Sequence, residues 1–442
     1  MEKFDLIIKG GTCVLKSGLK KRDLGVRNGK IVVLDIGSEH PATKIIDASG
    51  LHIFPGLIDT QVHFREPGLT HKEDLASGSL AAVQGGVTTF LEMPNTTPPT
   101  TTKESILEKI KLAKSKSLAN FGFYMGGTAE NLEELKKAKD IEGCCGIKIF
   151  LGSSTGNLLL YKREKLEEIF KNTTGIIALH SENEEMLVQR KSIRDNAKTA
   201  HAHPEWRNVE TALTSTKRVI EIAKECKRKV HVLHITSKEE MDFLAENKDF
   251  CTVEVTPQHL TLSAPECYDK LGTYAQMNPP IRTVDHTAGL WGALKKGVVD
   301  VIGSDHAPHT KEEKDKGYPN SPSGMPGVQT IFPVLLHHVQ MGNLNLEEVA
   351  KYLCFNPAKL YGLNKGHLEN DFDADITIVN MNEEVEIKNE DMASKCGWTP
   401  FDGYKYKGKI NYTIVGGNVV VENGVVNSSH FGSPIKVNQR KF

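Results

Sequence analysis

The stretch GLIDTQVHF, residues 56–64, reads as a buried β-strand that ends in polar side chains. Leu57 and Ile58 open it, and Gln61 and His63 stand two apart, on the same side of an extended chain. The same grammar recurs in VTTFLEMP (87–94), NFGFYM (120–125), CCGIKIF (144–150), GIIALH (175–180), KVHVLHI (229–235), CTVEVTP (251–257) and VVDVIGSDH (298–306), eight candidate strands in all. Between most of them lie segments with apolar residues three and four apart, such as ESILEKIKLAKSKS (104–117), TAENLEELKKAKD (128–140), REKLEEIFKN (163–172) and SKEEMDFLAENKD (237–249). Almost wholly apolar strands alternating with crossover helices predict a (β/α)8 barrel of the TIM type, whose parallel strands are covered on both faces. An open doubly wound sheet is the rival.

The two chain ends are written differently. Residues 1–54 alternate short β-branched runs with glycine turns, and RNGK (27–30) carries an Asn-Gly hairpin signal. Residues 365–442 repeat the style in DADITIVN (373–380) and YTIVGGNVVVENGVV (412–426). The expected organisation is a barrel over 55–364, with 1–54 and 365–442 folding together into one small β-domain.

Composition narrows the function. The chain has 442 residues, 25% of them charged, with a formal net charge of -1, so no global field recruits nucleic acid or an anionic membrane. A small molecule is the expected partner. The N-terminus shows no basic segment followed by a long apolar core, and no run of about 18 apolar residues occurs, which predicts a cytoplasmic protein without a membrane span. Eight cysteines without a C-x-x-C pair predict reduced, mostly buried thiols.

Polar residues gather at the C-terminal ends of the predicted strands: Gln61, His63 and Arg65, then Asn95, Lys148, His180, His234, and last Asp305, His306 and His309. In a barrel those ends converge on one mouth, where active sites are built. A single histidine after a strand is usually a hydrogen-bonded core or surface residue. Several at strand ends, with an aspartate, point to a nitrogen and oxygen metal site, with zinc as the first expectation. Lys148 sits in an apolar strand, where burial favours the neutral amine. Such an amine can take up carbon dioxide to become an anionic, bridging carbamate; the other reading has its head reach from the mouth to a substrate anion.

DTQVHFREP (59–67), EMPNT (92–96), the Lys148 strand, ALHSE (178–182), VLHITS (232–237), MNPPIR (277–282) and GSDHAPH (303–309) together resemble the dihydroorotases of the cyclic amidohydrolase superfamily. The match runs in order over nearly the whole chain. The resemblance implies a metal-dependent hydrolase barrel with a β-sandwich from both chain ends, and one or two zinc ions per chain. It makes His63, Lys148 and Asp305 ligands of a first metal, with Lys148 N6-carboxylated, and His180 and His234 ligands of a second. Asp305 is then also the general base and acid. Arg65, Asn95, Asn278 and His309, with His63 and the backbone near Ser323 and Gly324, become the substrate contacts; an arginine fork suits a carboxylate. The implied reaction is reversible hydrolysis of dihydroorotate to N-carbamoyl-aspartate in pyrimidine biosynthesis, by a water activated on the metal, and the implied assembly is a homodimer.

The family pattern D-x-H-x-H stands here as D-T-Q-V-H, and an amide oxygen is a weaker zinc ligand than an imidazole. A weakened first site, an enzyme running on the second metal alone, and an inactive scaffold each follow from Gln61; an active enzyme with an altered first site is the expectation. Hydantoinases, dihydropyrimidinases and allantoinases rank second for substrate, because Arg65 and MPNT favour a carboxylate. GSSTG (152–156) matches the G-x-S-x-G nucleophile elbow and offers Ser154 as a serine-esterase alternative, without an obvious helix directly after it. The charged half of HTKEEKDKGYPNSPSGMPG (309–327) reads as a solvated loop, and His71, His201 and His203 as surface histidines.

Overall fold

The computed structural model describes residues 3–152 and 158–437. Eight parallel strands run in simple sequential order: β1 (Leu57–Val62), β2 (Val87–Glu92), β3 (Asn120–Gly126), β4 (Cys144–Phe150), β5 (Ile177–His180), β6 (Val230–Val232), β7 (Cys251–Val255) and β8 (Val301–Ile302). A parallel bridge between Val62 and His306 closes the ring, and the His63 amide donates to the His306 carbonyl at 2.7 Å. The predicted barrel is therefore present and the open sheet is excluded. Strands β1, β2 and β3 are buried at every position, which is why they read as apolar runs rather than as alternation.

Helices cover the outside. Lys103–Lys114 begins at Thr102, whose side chain accepts from the Ser105 amide, and carries Glu104 in its first turn and Lys111 and Lys114 in its last, matching the helix dipole. It buries Ile106, Ile110 and Ala113, and also Lys109, whose ammonium meets Glu92 of β2 at 2.6 Å. The apolar stripe faces the strands and the charged face meets water. A separate cluster takes Ile58, Leu91, Tyr124, Cys145 and Ala178, one residue from each of β1 to β5, and packs them with Tyr361. Side chains from several strands meeting in one cluster are what make a barrel interior a packed core and not a pore.

Both chain ends build the second unit. A seven-stranded sheet joins Thr12–Leu15, Gly18–Lys21 and His52–Pro55 to Ile376–Glu386, Lys405–Val415, Asn418–Glu422 and Val425–Val426. The four-stranded sheet of Phe4–Lys9, Asp23–Arg27, Lys30–Leu34 and Ala42–Asp47 lies against it, with Leu6, Ile8, Leu24, Ile53, Ile376 and Ile414 in the shared core. The Asn-Gly signal is realised: Asn28 and Gly29 have φ of 52° and 71°, the pair of positive values a type I′ hairpin requires. Two stretches of the C-terminal part leave the sandwich. Residues 432–435 hydrogen-bond to the barrel at Ser117, Phe121 and Gly143, and the loop before Lys405–Val415 sends Trp398 to the barrel mouth, where its indole N–H donates to the His309 carbonyl at 2.8 Å.

All eight cysteines are unpaired thiols, and seven are buried. Among the described residues no helix is long and apolar enough to cross a membrane.

Candidate active site

The ends of the strands bring the predicted polar residues to one mouth. Gln61 leaves β1 pointing at Asp305 and donates its amide N–H to Oδ1 at 2.9 Å. His63 Nε2 lies 3.1 Å from the same oxygen, while His63 Nδ1 meets Asn95 Oδ1 at 2.7 Å. The glutamine and the histidine thus share a face, as their spacing requires. Asp59, four residues before His63, lies beneath them: its Oδ1 accepts from the amides of Ser304 and Gln61, at 2.9 and 3.2 Å, and ties β1 to the turn carrying Asp305. Burial raises the Asp59 carboxyl to about 7, although the Ser304 hydrogen bonds work against it.

Across the mouth His180 and His234 face each other, with His180 Nδ1 and His234 Nε2 3.1 Å apart. His180 Nε2 meets Glu182 Oε2 at 2.8 Å, so its proton is on Nε2 and its Nδ1 lone pair is directed at His234. Burial works to raise Glu182, but the Arg207 guanidinium and His180 outweigh it and hold its carboxyl down at about 2. Arg207 donates to both Glu182 oxygens, and neither side chain is accessible to more than a trace of solvent.

Lys148 lies between the two groups and is fully buried. Among the described residues its Nζ has no hydrogen-bond partner, and it sits 4.6 Å over the Phe150 ring. Burial lowers the ammonium to about 7, against the opposing pull of Asp305 and Glu254, and the lysine charge in turn acts on His180 and His234. Burial also lowers His63, His180 and His234, which keeps all three imidazoles neutral and their lone pairs available.

The residues expected to meet the substrate lie along a cationic rim of the mouth, with Arg65 and Lys72 on it. Arg65 Nε donates to the Pro308 carbonyl at 3.3 Å, and its Nη2 lies 3.3 Å from His309 Nε2. His309 Nε2 is also 3.1 Å from the Ser323 carbonyl, and Lys72 Nζ is 3.2 Å from His309 Nδ1. Gly324 has φ +147°, and a Cβ there would stand 2.4 Å from the Ala307 carbonyl oxygen, so only glycine lets this loop close on the mouth. Asn278 Oδ1 accepts from His203 Nε2 at 3.0 Å. Arg65, His234 and Asp305 all take positive φ, at 64°, 38° and 46°, and such backbone strain in non-glycine residues clusters at functional sites.

Two expectations change. His203 is buried, not a surface residue, and burial with Arg207 nearby pushes it down to about 3. The charged stretch after His309 is not simply solvated: Lys311–Lys314 is a helical turn capped by Thr310, and Lys314 is buried with its ammonium on the carbonyls of Pro322 and Gly324, at 2.8 and 3.3 Å. His71 and His201 do lie at the surface, beside Glu313 and Asp269. Ser154 lies outside the described residues. Glu182, Arg207, Lys72 and Lys314 were not anticipated; only Glu182, two residues after a strand-end histidine, carried a local signal.

The chain matches the amidohydrolase family over residues 52–420. It is 34% identical over 417 residues to a dihydroorotase of Methanosarcina acetivorans, covering 90% of this chain and 88% of that one, and 35% identical over 379 residues to a dihydroorotase of Halobacterium salinarum, covering 84% and 86%. Among solved structures, the L-hydantoinase (dihydropyrimidinase) of Arthrobacter aurescens superposes with a TM-score of 0.92 at 30% identity, covering 96% of this chain and 97% of that one. A barrel whose strand ends carry His63, Lys148, His180, His234 and Asp305, with this breadth of likeness, belongs to the amidohydrolase family and, within it, to the dihydroorotases.

Proposed function

We propose that this chain catalyses the reversible hydrolysis of dihydroorotate to N-carbamoyl-aspartate, with zinc at the barrel mouth. The observation that carries the reading is one mouth in which unpartnered ligand atoms stand beside a cationic rim suited to a carboxylate.

The residues fit a metal. With its Nδ1 proton on Asn95 Oδ1, His63 turns a lone pair toward the Asp305 carboxylate 3.1 Å away, a contact between two acceptors that a cation relieves. Two nitrogens on one tetrahedral zinc stand about 3.3 Å apart, and His180 Nδ1 and His234 Nε2 are 3.1 Å apart. Among the described residues no group of three His, Cys, Asp or Glu side chains converges, so each pair needs a further donor, and the buried Lys148 amine, without a hydrogen-bond partner among them, supports that role for both. Its depressed proton affinity favours carbamate formation with carbon dioxide. His180 and His234 with Lys148 would hold one ion; His63, Asp305 and Lys148 would hold the other. Gln61 presents its N–H to Asp305, which supports an altered first site rather than a dismantled one. Zinc bound there supplies a Lewis acid for the ring carbonyl and lowers the pKa of water toward neutrality.

The chain's own groups do the rest. Arg65 and the Asn95 amide N–H hold the substrate carboxylate and fix the ring against the mouth. Gln61 donates to Asp305 Oδ1, which leaves Oδ2 to take the proton from water and return it to the departing ring nitrogen. Ring closure retraces the path. The same reading carries a homodimer, a cytoplasmic setting and a place in pyrimidine synthesis.

The test is turnover of dihydroorotate, hydantoin, dihydrouracil and allantoin by the purified protein, with metal content measured on the same sample. Dihydroorotate is expected to be hydrolysed fastest. A preference for hydantoin or dihydrouracil moves the chain to the hydantoinase reading, and bound zinc without turnover makes it a scaffold.

A further inference from the structure

Lys72 stands outside every assigned role, in the loop after β1, yet it reaches into the mouth. Its side chain is 13% exposed; its ammonium is 3.2 Å from His309 Nδ1 and 3.0 Å from Glu313 Oε1. An ammonium can only donate, so His309 Nδ1 must be the acceptor. A neutral imidazole then carries its proton on Nε2, where the Ser323 carbonyl accepts it at 3.1 Å. The Arg65 Nη2 at 3.3 Å from the same nitrogen is a second donor and makes no bond there. The alternative, a doubly protonated ring, would have to give Nδ1–H to Glu313, whose nearest oxygen, Oε2, is 3.5 Å away and already accepts from the Thr310 amide at 3.2 Å. The Nε2–H tautomer satisfies both Lys72 and the Ser323 carbonyl.

We infer that Lys72 is a positioning residue which locks His309 as the Nε2–H tautomer, so that the imidazole offers a neutral donor beside the Arg65 guanidinium to the substrate's carboxylate. Glu313 compensates the lysine charge, so Lys72 acts through the ring and not as a second cation on the substrate. Lys314 supports the arrangement from the other side by holding the carbonyls of Pro322 and Gly324, which sets the Ser323 carbonyl that receives the His309 proton in the absence of substrate. When a carboxylate arrives, Nε2–H exchanges one acceptor for a charged one. The stronger charge-assisted bond favours binding.

The inference rests on the dihydroorotase reading, and three forms of the enzyme separate the two. Lys72→Met removes the donor, and KM for dihydroorotate is expected to rise about tenfold with a much smaller change in kcat, the pattern of lost uniform binding. Lys72→Gln keeps a neutral N–H donor without the charge and is expected to restore most of the affinity. Equal KM increases in both variants would overturn the inference, because they would show that the charge and not the proton position matters. A native KM in Lys72→Met would overturn it as well, as would a fall in kcat alone. Absence of turnover in the native enzyme removes the parent reading and this one together, whereas a native enzyme with normal turnover leaves the variants to decide on Lys72 alone. Thermal unfolding of each variant, matched to the native protein, separates loss of position from loss of fold.

Discussion

The two halves of the barrel mouth are held in different ways. On one side, His180 is fixed by Glu182, and Glu182 by Arg207, so a full buried charge pair stands behind one imidazole. On the other, the Gln61 amide donates to Asp305 and the Asn95 amide oxygen fixes His63, so neutral groups hold these side chains. A buried ion pair resists the loss of either member strongly, because the survivor is left as an uncompensated charge. A neutral amide can be exchanged at lower cost. The half that departs from the family pattern is therefore the half whose scaffolding tolerates departure, and the His180 half is the one tied to a buried ion pair.

Four substitutions test that contrast. Asp305→Ala removes the group the Gln61 amide donates to, and turnover is expected to fall by at least about 10³-fold in both directions, measured on metal-replete protein. Substantial activity in that variant would take Asp305 out of the mechanism. On the opposite half, Glu182→Gln leaves Arg207 buried without its counter-charge, with an expected loss of about 3–5 kcal/mol in unfolding free energy. It is also expected to weaken metal affinity about 10–100-fold, read by chelator competition, since the partner that orients a ligating histidine is gone. Unchanged affinity and stability would show that the two halves do not differ as described.

The same residue gives a pH signature. Glu182 is held at about 2 against an ordinary 4.5, so its stabilising contribution is complete above 4.5 and is lost as the pH falls through about 2. Urea unfolding across pH 2–5 is expected to show a steeper acid loss in the native protein than in Glu182→Gln. Gln61→Ala, on the neutral side, is expected to cost about tenfold in kcat/KM, the scale of one hydrogen bond to a charged group, with little change in melting temperature. The smallest effect belongs to Trp398→Phe, which removes one N–H on the His309 carbonyl and should lower stability by about 1 kcal/mol. A large loss of activity there would show that the loop from the sandwich governs the mouth more tightly than one hydrogen bond implies.

The sequence determined the barrel strands, their order and most of the histidines at their ends, because hydrophobic period and strand-end polarity are local properties written within a few residues. His63, Lys148, His180, His234 and Asp305 could each be read from its own strand. It also marked Gln61 as the departure. Tertiary structure decided what that glutamine does: its N–H meets Asp305 Oδ1 across 244 residues of chain. Lys314 looked solvated because its run is charged, and only the fold shows the carbonyls that receive its ammonium. Lys72 and His309 are 237 residues apart, and Glu182 and Arg207 are 25 apart on different elements. Such pairs leave no periodic trace, since burial of a charge is decided by which distant partner the closed barrel brings to it.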